Sequence, residues 1–199
     1  FADDLRVLLD HLEIERAAQF KSGFFDGEIF AMSGGTRWHS LICANLIREL
    51  GVSLKGGRCL VFDSNMRVKI EATGLYTYPD VIVACEEQRF VDGEMDTLLN
   101  PSLVVEVLSE STEGYDRGKK FEHYRQIPSL REYLLVSQTE ARIDQFILQA
   151  GGDWLLREAA GLQSQILLPT LGVTVPLAEI FAKIVFVSTR IRASRSPNL

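Results

Sequence analysis

Long apolar runs and closely spaced cysteines or histidines are both missing from this sequence. No run approaches the roughly 18 apolar residues that a membrane-spanning helix requires, and Ile180–Val187 is short and contains Lys183. The cysteines Cys43, Cys59 and Cys85 show no zinc-knuckle or redox spacing, and the three histidines match no HExxH-like pattern. Because apolar residues surround each cysteine, we expect small buried side chains in a reducing cytosol, without disulfide or metal roles.

Size and charge describe an ordinary globular chain with an acidic surface. The 199 residues are 46% hydrophobic and 24% charged, which suits one domain over residues 1–185, with a disordered tail at 186–199. The formal net charge of -6 argues against a protein that coats nucleic acid through a broad basic surface. It does not exclude a metal site built from carboxylates.

The first third of the chain predicts helices around a hairpin, followed by a strand. The turn residues Asp26-Gly27 separate two short apolar runs, which is typical of a β-hairpin. Thr36 is a suitable N-cap for a second helix, and Gly56-Gly57 would end it. The predicted elements are a helix at Asp3–Gln19, the hairpin, a helix after Thr36 and a strand at Cys59–Ile70.

Two nearly continuous apolar runs predict the centre of the sheet. Val81–Cys85 and Leu103–Leu108 fit strands that are covered on both faces, so we expect helices on either side. The remaining predictions are a polar loop at Glu86–Asn100, a helix at Ser111–Gln126, a strand meander at Tyr133–Val136, Ala141–Leu148 and Trp154–Glu158, strands at Gln165–Leu168 and Val173–Val175, and a short helix at Leu177–Phe181. This order indicates an α/β (α+β) fold with a central mixed sheet flanked by helices.

Two acidic residues lie where strand burial disfavours them. Glu106 interrupts the apolar run Leu103–Leu108, and Asp80 follows Pro79 directly before Val81. A buried carboxylate needs a cation, a proton or several hydrogen-bond donors. If the two strands are neighbours, both carboxylates converge at one end of the sheet. Taken singly, Glu106 could form a buried ion pair and Asp80 could be a turn or cap residue.

A lysine on the following predicted helix can reach the same place. Lys120 lies at the edge of the apolar stripe through Phe121 and Tyr124, whereas Lys119 lies on the solvated face. The alternative is an ordinary i, i+4 pair between Asp116 and Lys120.

Two carboxylates and a lysine suit hydrolysis of phosphodiesters with a divalent metal. Asp80 and Glu106 would hold Mg²⁺, with Mn²⁺ as a substitute and the Val107 carbonyl as a further ligand. Lys120 would orient the nucleophile or stabilise the developing negative charge.

The motifs in this order resemble a known group of enzymes. Tyr78-Pro79-Asp80 and Glu106-Val107-Leu108, 26 residues apart, are similar to the PD-(D/E)XK nuclease superfamily. A closer resemblance, to the Uma-type restriction endonucleases of bacteria, covers about residues 10 to 182. It is carried by the motifs Asp26-Gly27-Glu28, Met32-Ser33-Gly34, His39-Ser40, Tyr78-Pro79-Asp80, Val105–Ser109, Asp116–Lys120 and Glu132-Tyr133. The resemblance implies a restriction-endonuclease-like fold, Mg²⁺ dependence and a homodimer.

Two positions depart from the pattern of these relatives. Leu108 stands where the superfamily has lysine, so the resemblance assigns that role to Lys120. Gly23 stands where related sequences usually have glutamate, and Glu28 is the candidate substitute. His39 is a further auxiliary candidate that could bind phosphate or a dimer partner, although it could also be a packing or capping residue.

The sequence therefore predicts a cytoplasmic Mg²⁺-dependent endonuclease that acts on DNA. Two alternatives stay open: a catalytically degenerate interaction protein of the same fold, and a metal-dependent nucleotide phosphohydrolase. DNA contacts would come from scattered basic residues, namely Arg37, Arg58, Lys69, Arg117 and Lys119. With a net charge of -6, binding should weaken steeply with salt.

Overall fold

The computed structural model describes residues 22–26, 28–31 and 35–186. The predicted helix at Asp3–Gln19 and the predicted tail lie outside these residues, apart from the first residue of the tail. The predicted hairpin is present as β1 (Ser22–Phe25) and β2 (Glu28–Ala31), which pair antiparallel. Within the described residues, no helix is both long and apolar enough to span a membrane.

A six-stranded mixed sheet forms the centre of the fold. Its spatial order is β11-β10-β9-β8-β6-β3, and β8 and β9 are parallel whereas the other neighbours are antiparallel. The strands are β3 (Leu60–Asp63), β6 (Val81–Ala84), β8 (Leu103–Val107), β9 (Glu132–Val136), β10 (Arg142–Leu148) and β11 (Trp154–Ala160). Every residue of β6, β8 and β9 is buried, which explains their continuous apolar runs.

The helix α1 (Arg37–Ser53) covers one face of this sheet. Thr36 caps it as predicted, because the Thr36 side chain accepts a hydrogen bond from the backbone N–H of His39. Its buried residues Ile42, Leu46 and Leu50 recur every four positions and share a hydrophobic core with the odd-numbered residues of β6 and β8. The antiparallel hairpin of β12 (Gln165–Leu168) and β13 (Val173–Pro176) and the short helix α4 (Leu177–Ile180) pack against the same core.

The other face is covered by a second sheet and a short helical segment. The five-stranded sheet has the order β2-β1-β5-β4-β7, with β4 (Arg67–Ile70), β5 (Leu75–Thr77) and β7 (Thr97–Leu98). The helical segment consists of α2 (Glu113–Tyr115), a π-helical turn (Asp116–Lys120) and α3 (Phe121–Tyr124). Helices on both faces are thus confirmed, but the second face is also covered by a sheet, of which the sequence predicted the β1–β2 hairpin and not β5 or β7.

The single strand predicted at Cys59–Ile70 is wrong. The chain turns after Asp63, so that β3 joins the six-stranded sheet and β4 joins the five-stranded sheet. Asp63 drives this turn, since its carboxylate accepts hydrogen bonds from the backbone and side-chain N–H groups of Asn65. The predicted loop at Glu86–Asn100 also contains β7, which pairs in parallel with β4.

The expectation that no cysteine forms a disulfide is wrong for one pair. Cys59 and Cys85 form a disulfide, and Cys43 is free. Leu60 faces Ala84 in the antiparallel pairing of β3 and β6, so the next pair along the ladder is Cys59 with Cys85. Their separation of 26 residues hides this proximity in the sequence.

Candidate functional site

The two acidic residues singled out in the sequence lie on neighbouring strands. Val81 of β6 faces Val105 of β8 in an antiparallel register, so Asp80 lies opposite Glu106 at the end of this ladder. Asp80 also accepts a hydrogen bond of 2.7 Å from the backbone N–H of Val107. The structure therefore brings the two carboxylates together as expected.

His39 reaches Asp80 from the first turn of α1. Its Nε2 lies 3.1 Å from Asp80 Oδ2. Gly35 packs closely beside the imidazole, because a Cβ added at Gly35 would lie only 2.5 Å from His39 Nδ1. The Thr36 cap and the missing side chain at Gly35 together position His39 over the end of β6.

Lys120 enters the site from the π-helical turn. Its Nζ lies 2.8 Å from Glu106 Oε1 and 3.2 Å from Asp116 Oδ1, and the three side chains are 8%, 5% and 4% exposed. Both interpretations of Lys120 are therefore present at once, since it contacts the strand carboxylate and also forms the i, i+4 pair with Asp116. Lys119 is exposed, as predicted.

Tyr124 completes the surroundings of Glu106. Its hydroxyl donates a 2.8 Å hydrogen bond to Glu106 Oε1, the same oxygen that Lys120 contacts. The Tyr133 hydroxyl donates to the Asp116 carbonyl and so ties the π-helical turn to β9. Sequence reasoning placed Tyr124 only in an apolar stripe, although Asp116, Lys120 and Tyr124 recur every four residues, and this spacing could have identified the group.

The electrostatics of the site are governed by burial. Burial raises the pKa of Glu106 to about 8, with the carboxylates of Asp80 and Asp116 adding to the increase and Lys120 opposing it. Burial alone would lower the pKa of Lys120, but the carboxylates of Glu106 and Asp116 outweigh it and hold that pKa above its usual value. Lys120 thus keeps its proton, and Glu106 holds its own to a higher pH than an ordinary glutamate does.

Cys43 is a neighbour of His39 that the sequence did not suggest. Its Sγ lies 3.7 Å from His39 Nδ1, one helical turn further along α1. Burial and the carboxylates of Asp80 and Glu106 raise the pKa of its thiol. The ligand atoms of His39, Cys43 and Asp80 all lie within 4.8 Å of one another, and the expectation that no cysteine has a metal role stays a prediction.

Other predicted residues are placed away from the carboxylates or are already paired. Glu28 is exposed at the β1–β2 turn, and within the described residues no contact joins it to Asp80 or Glu106. Arg117 binds Asp144 and Glu113. Among the other basic candidates, Arg37, Arg58 and Lys119 are exposed and Lys69 is half-buried.

A surface groove gives solvent access to the histidine side of the site. His39, Gly35 and Thr36 line it from the start of α1, and Ser109 and Gln138 line it from the ends of β8 and β9. The Gln138 amide donates to the Leu108 carbonyl, which fixes that wall. The site therefore consists of a buried part around Glu106 and Lys120 and a more open part around His39 and Asp80.

The chain is similar in sequence to known proteins. The chain matches the family model Uma2, described as putative restriction endonuclease, over residues 8–178. The uncharacterized proteins slr1290 and sll1609 of Synechocystis sp. are 42% and 38% identical to it. These matches cover 74% and 79% of this chain, and 76% and 89% of the respective relatives.

A solved structure confirms the fold that the sequence resemblance implied. A putative nuclease of the DUF820 group from Anabaena variabilis superposes with a TM-score of 0.68, covering 84% of this chain and 93% of that chain. At 14% identity, this likeness concerns the fold alone. The fold is restriction-endonuclease-like, with a mixed sheet and flanking helices.

Proposed function

The chain belongs to the Uma2 family of putative restriction endonucleases, and from this premise we propose that it is a Mg²⁺-dependent endonuclease that hydrolyses DNA phosphodiester bonds. The observation that carries the proposal is the pairing of β6 with β8, which sets Asp80 opposite Glu106 with the Lys120 ammonium 2.8 Å from Glu106 Oε1. Two carboxylates and a protonated amine at the end of a buried sheet have little value for packing. They suit metal-assisted hydrolysis of phosphodiester bonds.

The donor atoms fit a hard divalent cation. Asp80 and Glu106 supply carboxylate oxygens from adjacent strands, and the Val107 carbonyl is a further candidate ligand. Mg²⁺ held there, or Mn²⁺ in its place, would acidify a water molecule and offset negative charge on the phosphate.

The surrounding residues prepare these ligands for their task. The Val107 N–H and the His39 imidazole orient the Asp80 carboxylate, and the Tyr124 hydroxyl orients Glu106. Lys120 stays protonated between two carboxylates and can donate a hydrogen bond to a nucleophile or to a phosphate oxygen. Glu106 must give up its proton before it can bind a cation, since burial raises its pKa to about 8.

One observation favours a second candidate, an interaction protein that has kept the nuclease fold without activity. Lys120 and Tyr124 already satisfy one oxygen of Glu106, so this carboxylate has partners without any metal. Gly23, which lies in β1 opposite Phe30, provides no carboxylate where related sequences usually have one. In this candidate the ion pair of Glu106 with Lys120 would be purely structural.

Plasmid cleavage separates the two candidates. We expect the wild-type protein to nick or linearise plasmid DNA with Mg²⁺ or Mn²⁺ and to be inactive with EDTA. Asp80→Asn and Glu106→Gln should each lower the rate at least about 100-fold, because even outer-shell partners of a metal contribute about 10- to 100-fold. Glu86→Gln is the matched control, since this exposed carboxylate follows the opposite end of β6 and should leave the rate unchanged.

Each other outcome rejects the endonuclease proposal in a defined way. Intact plasmid in all samples, together with no heat of Mg²⁺ binding, favours the interaction protein. Cleavage of mononucleotides with intact plasmid favours a phosphohydrolase. Equal cleavage by the wild type and Asp80→Asn would mean that the activity does not belong to this site.

Substrate binding, assembly and location complete the proposal. DNA would bind through the exposed residues Arg37, Arg58 and Lys119. Binding would be weak because the net charge is -6, and it would depend on salt because each contact with a phosphate releases counterions. The family resemblance is the ground for proposing a homodimer, and a cytoplasmic location is part of the same proposal. Sedimentation equilibrium tests the dimer, and a mass of 22.3 kDa at all concentrations would reject it.

A further inference from the structure

We infer that His39, Cys43 and Asp80 form a second cation site, selective for a borderline-soft ion such as Zn²⁺, and that an ion bound there inhibits the enzyme by withdrawing Asp80 from the Mg²⁺ ligands. The inhibitory part of this inference rests on the proposed function. The cation site itself rests only on the geometry of α1 and the start of β6.

The three side chains converge on one small volume. His39 Nε2 lies 3.1 Å from Asp80 Oδ2, and Cys43 Sγ lies 3.7 Å from His39 Nδ1. All three can offer ligand atoms within 4.8 Å of one another. A tetrahedral ion with bonds of about 2.0–2.3 Å would draw these atoms slightly closer, to separations of about 3.3–3.8 Å. His39 and Cys43 are one turn apart on α1, so the helix presents both to Asp80 from the same side.

The donor set favours zinc-like ions over magnesium. A thiolate and an imidazole nitrogen are good ligands for Zn²⁺ and Co²⁺, whereas Mg²⁺ requires oxygen donors. Three protein ligands leave the fourth tetrahedral position to water. That arrangement requires access to solvent, and the side chains of His39 and Asp80 are 20% and 15% exposed beside the groove that His39 lines.

Gly35 holds the imidazole in place for this role. A Cβ there would lie 2.5 Å from His39 Nδ1 and 2.8 Å from its Cγ, so any larger residue would displace the ring. The Thr36 cap fixes the backbone N–H of His39 at the same time. The site is therefore preorganised from α1 and is not merely an accidental surface cluster.

Asp80 is the residue that the two sites share. It faces Glu106 across the β6–β8 ladder and contacts His39 on the other side. A cation held by His39 and Cys43 would draw the Asp80 carboxylate away from Glu106 and add a positive charge beside the proposed Mg²⁺ position. Zn²⁺ should then inhibit at concentrations far below that of Mg²⁺, and Cys43 should set its potency.

The binding test uses Co²⁺ as a spectroscopic probe on the full, reduced chain. We expect wild-type protein to show a thiolate-to-cobalt charge-transfer band in the near ultraviolet that stoichiometric Zn²⁺ abolishes. Cys43→Ser should lose this band, with an unchanged far-ultraviolet circular dichroism spectrum as evidence of folding. The matched control, Cys59→Ser/Cys85→Ser, removes the other two cysteines and should keep the band. Absence of the band in the wild type, or its persistence in Cys43→Ser, would overturn the inference.

The inhibition test separates this inference from the proposed function. In plasmid cleavage with Mg²⁺, Cys43→Ser should retain the wild-type rate and need at least about tenfold more Zn²⁺ for half-inhibition. Cleavage without a cobalt band would reject the second site alone, and a cobalt band without cleavage would reject the nuclease alone. Equal Zn²⁺ sensitivity of wild type and Cys43→Ser would reject the inhibitory role.

Discussion

Replacement of Lys120 by methionine is the sharpest test of how the site is built. Its ammonium lies between Glu106 and Asp116, at 2.8 Å and 3.2 Å, and all three side chains are buried. Methionine keeps the length and apolar stem of lysine but removes the charge. The variant therefore leaves two buried carboxylates without their shared cation.

The expected loss of stability follows from the burial and from the pKa of Glu106. Removing one partner of a buried ion pair costs about 3–5 kcal/mol of the free energy of unfolding. Near pH 6 we expect the lower end, about 3 kcal/mol, because burial raises the pKa of Glu106 to about 8 and the carboxyl then carries a proton in both proteins. At pH 9 the wild type holds Glu106 ionised beside Lys120, and the cost should approach about 5 kcal/mol.

The sign of this pH dependence follows from proton binding. A carboxyl whose pKa is raised by folding binds more protons in the native state, so its contribution to stability is lost as pH rises through the native pKa. Without Lys120 the native pKa of Glu106 rises further, and the loss continues above pH 8. The difference between the two proteins should therefore widen there by up to about 1.4 kcal/mol per pH unit.

Urea unfolding at pH 6 and pH 9, followed by the fluorescence of the two tryptophans, measures this difference. Lys119→Met is the matched control on the same turn, and it should change stability by less than about 0.5 kcal/mol because Lys119 is exposed. Glu106→Gln/Lys120→Met should abolish the widening, since it removes the carboxyl that titrates. Lys120→Met should not lower the free energy of unfolding by less than about 1 kcal/mol, and its difference from the wild type should not narrow as pH rises. Either result would refute the burial of the ammonium between carboxylates.

Three further predictions concern the cation and the start of α1. A proton on Glu106 competes with Mg²⁺, and the pKa of Glu106 is raised to about 8. The Mg²⁺ affinity measured by calorimetry should therefore be about 25-fold weaker at pH 6.5 than at pH 8.5. An affinity that does not change with pH would contradict this. Thr36→Ala should lower the free energy of unfolding by about 1 kcal/mol, or the melting temperature by about 2–4 °C, through loss of the cap, whereas the exposed control Ser40→Ala should have little effect. Gly35→Ala should displace the His39 ring and shift its imidazole NMR signals, and unchanged signals would show that the close approach is absent in solution.

Much of the site was predictable because charged residues within an apolar run or beside an apolar stripe can be recognised from the sequence alone. Glu106 stood out as a charge within an apolar run, and Lys120 stood out at the edge of a helical stripe. Both turned out to be buried and in contact. The convergence of Asp80 and Glu106 depended on β6 and β8 being neighbours in the sheet. The structure shows that these two strands are paired.

Other features depended on contacts that no local pattern encodes. Apolar alternation continued through Met66, so Cys59–Ile70 resembled one strand, although its two halves belong to different sheets. The same division, by pairing β3 with β6, brings Cys59 to Cys85. Residues 26 apart give no local sign that they will meet.

The sequence by itself determined α1 with its cap at Thr36, the β1–β2 hairpin and the buried central strands. It also identified Asp80, Glu106 and Lys120 as charged residues whose positions need an explanation. Periodicity states which face of an element is apolar, and that is sufficient for these conclusions. Only the tertiary structure decided that His39 and Cys43 contact the Asp80 side of the site and that Asp116 shares Lys120 with Glu106. The reason is that periodicity does not state which element lies opposite, and the partners of a buried charge are chosen by packing between elements far apart in the chain.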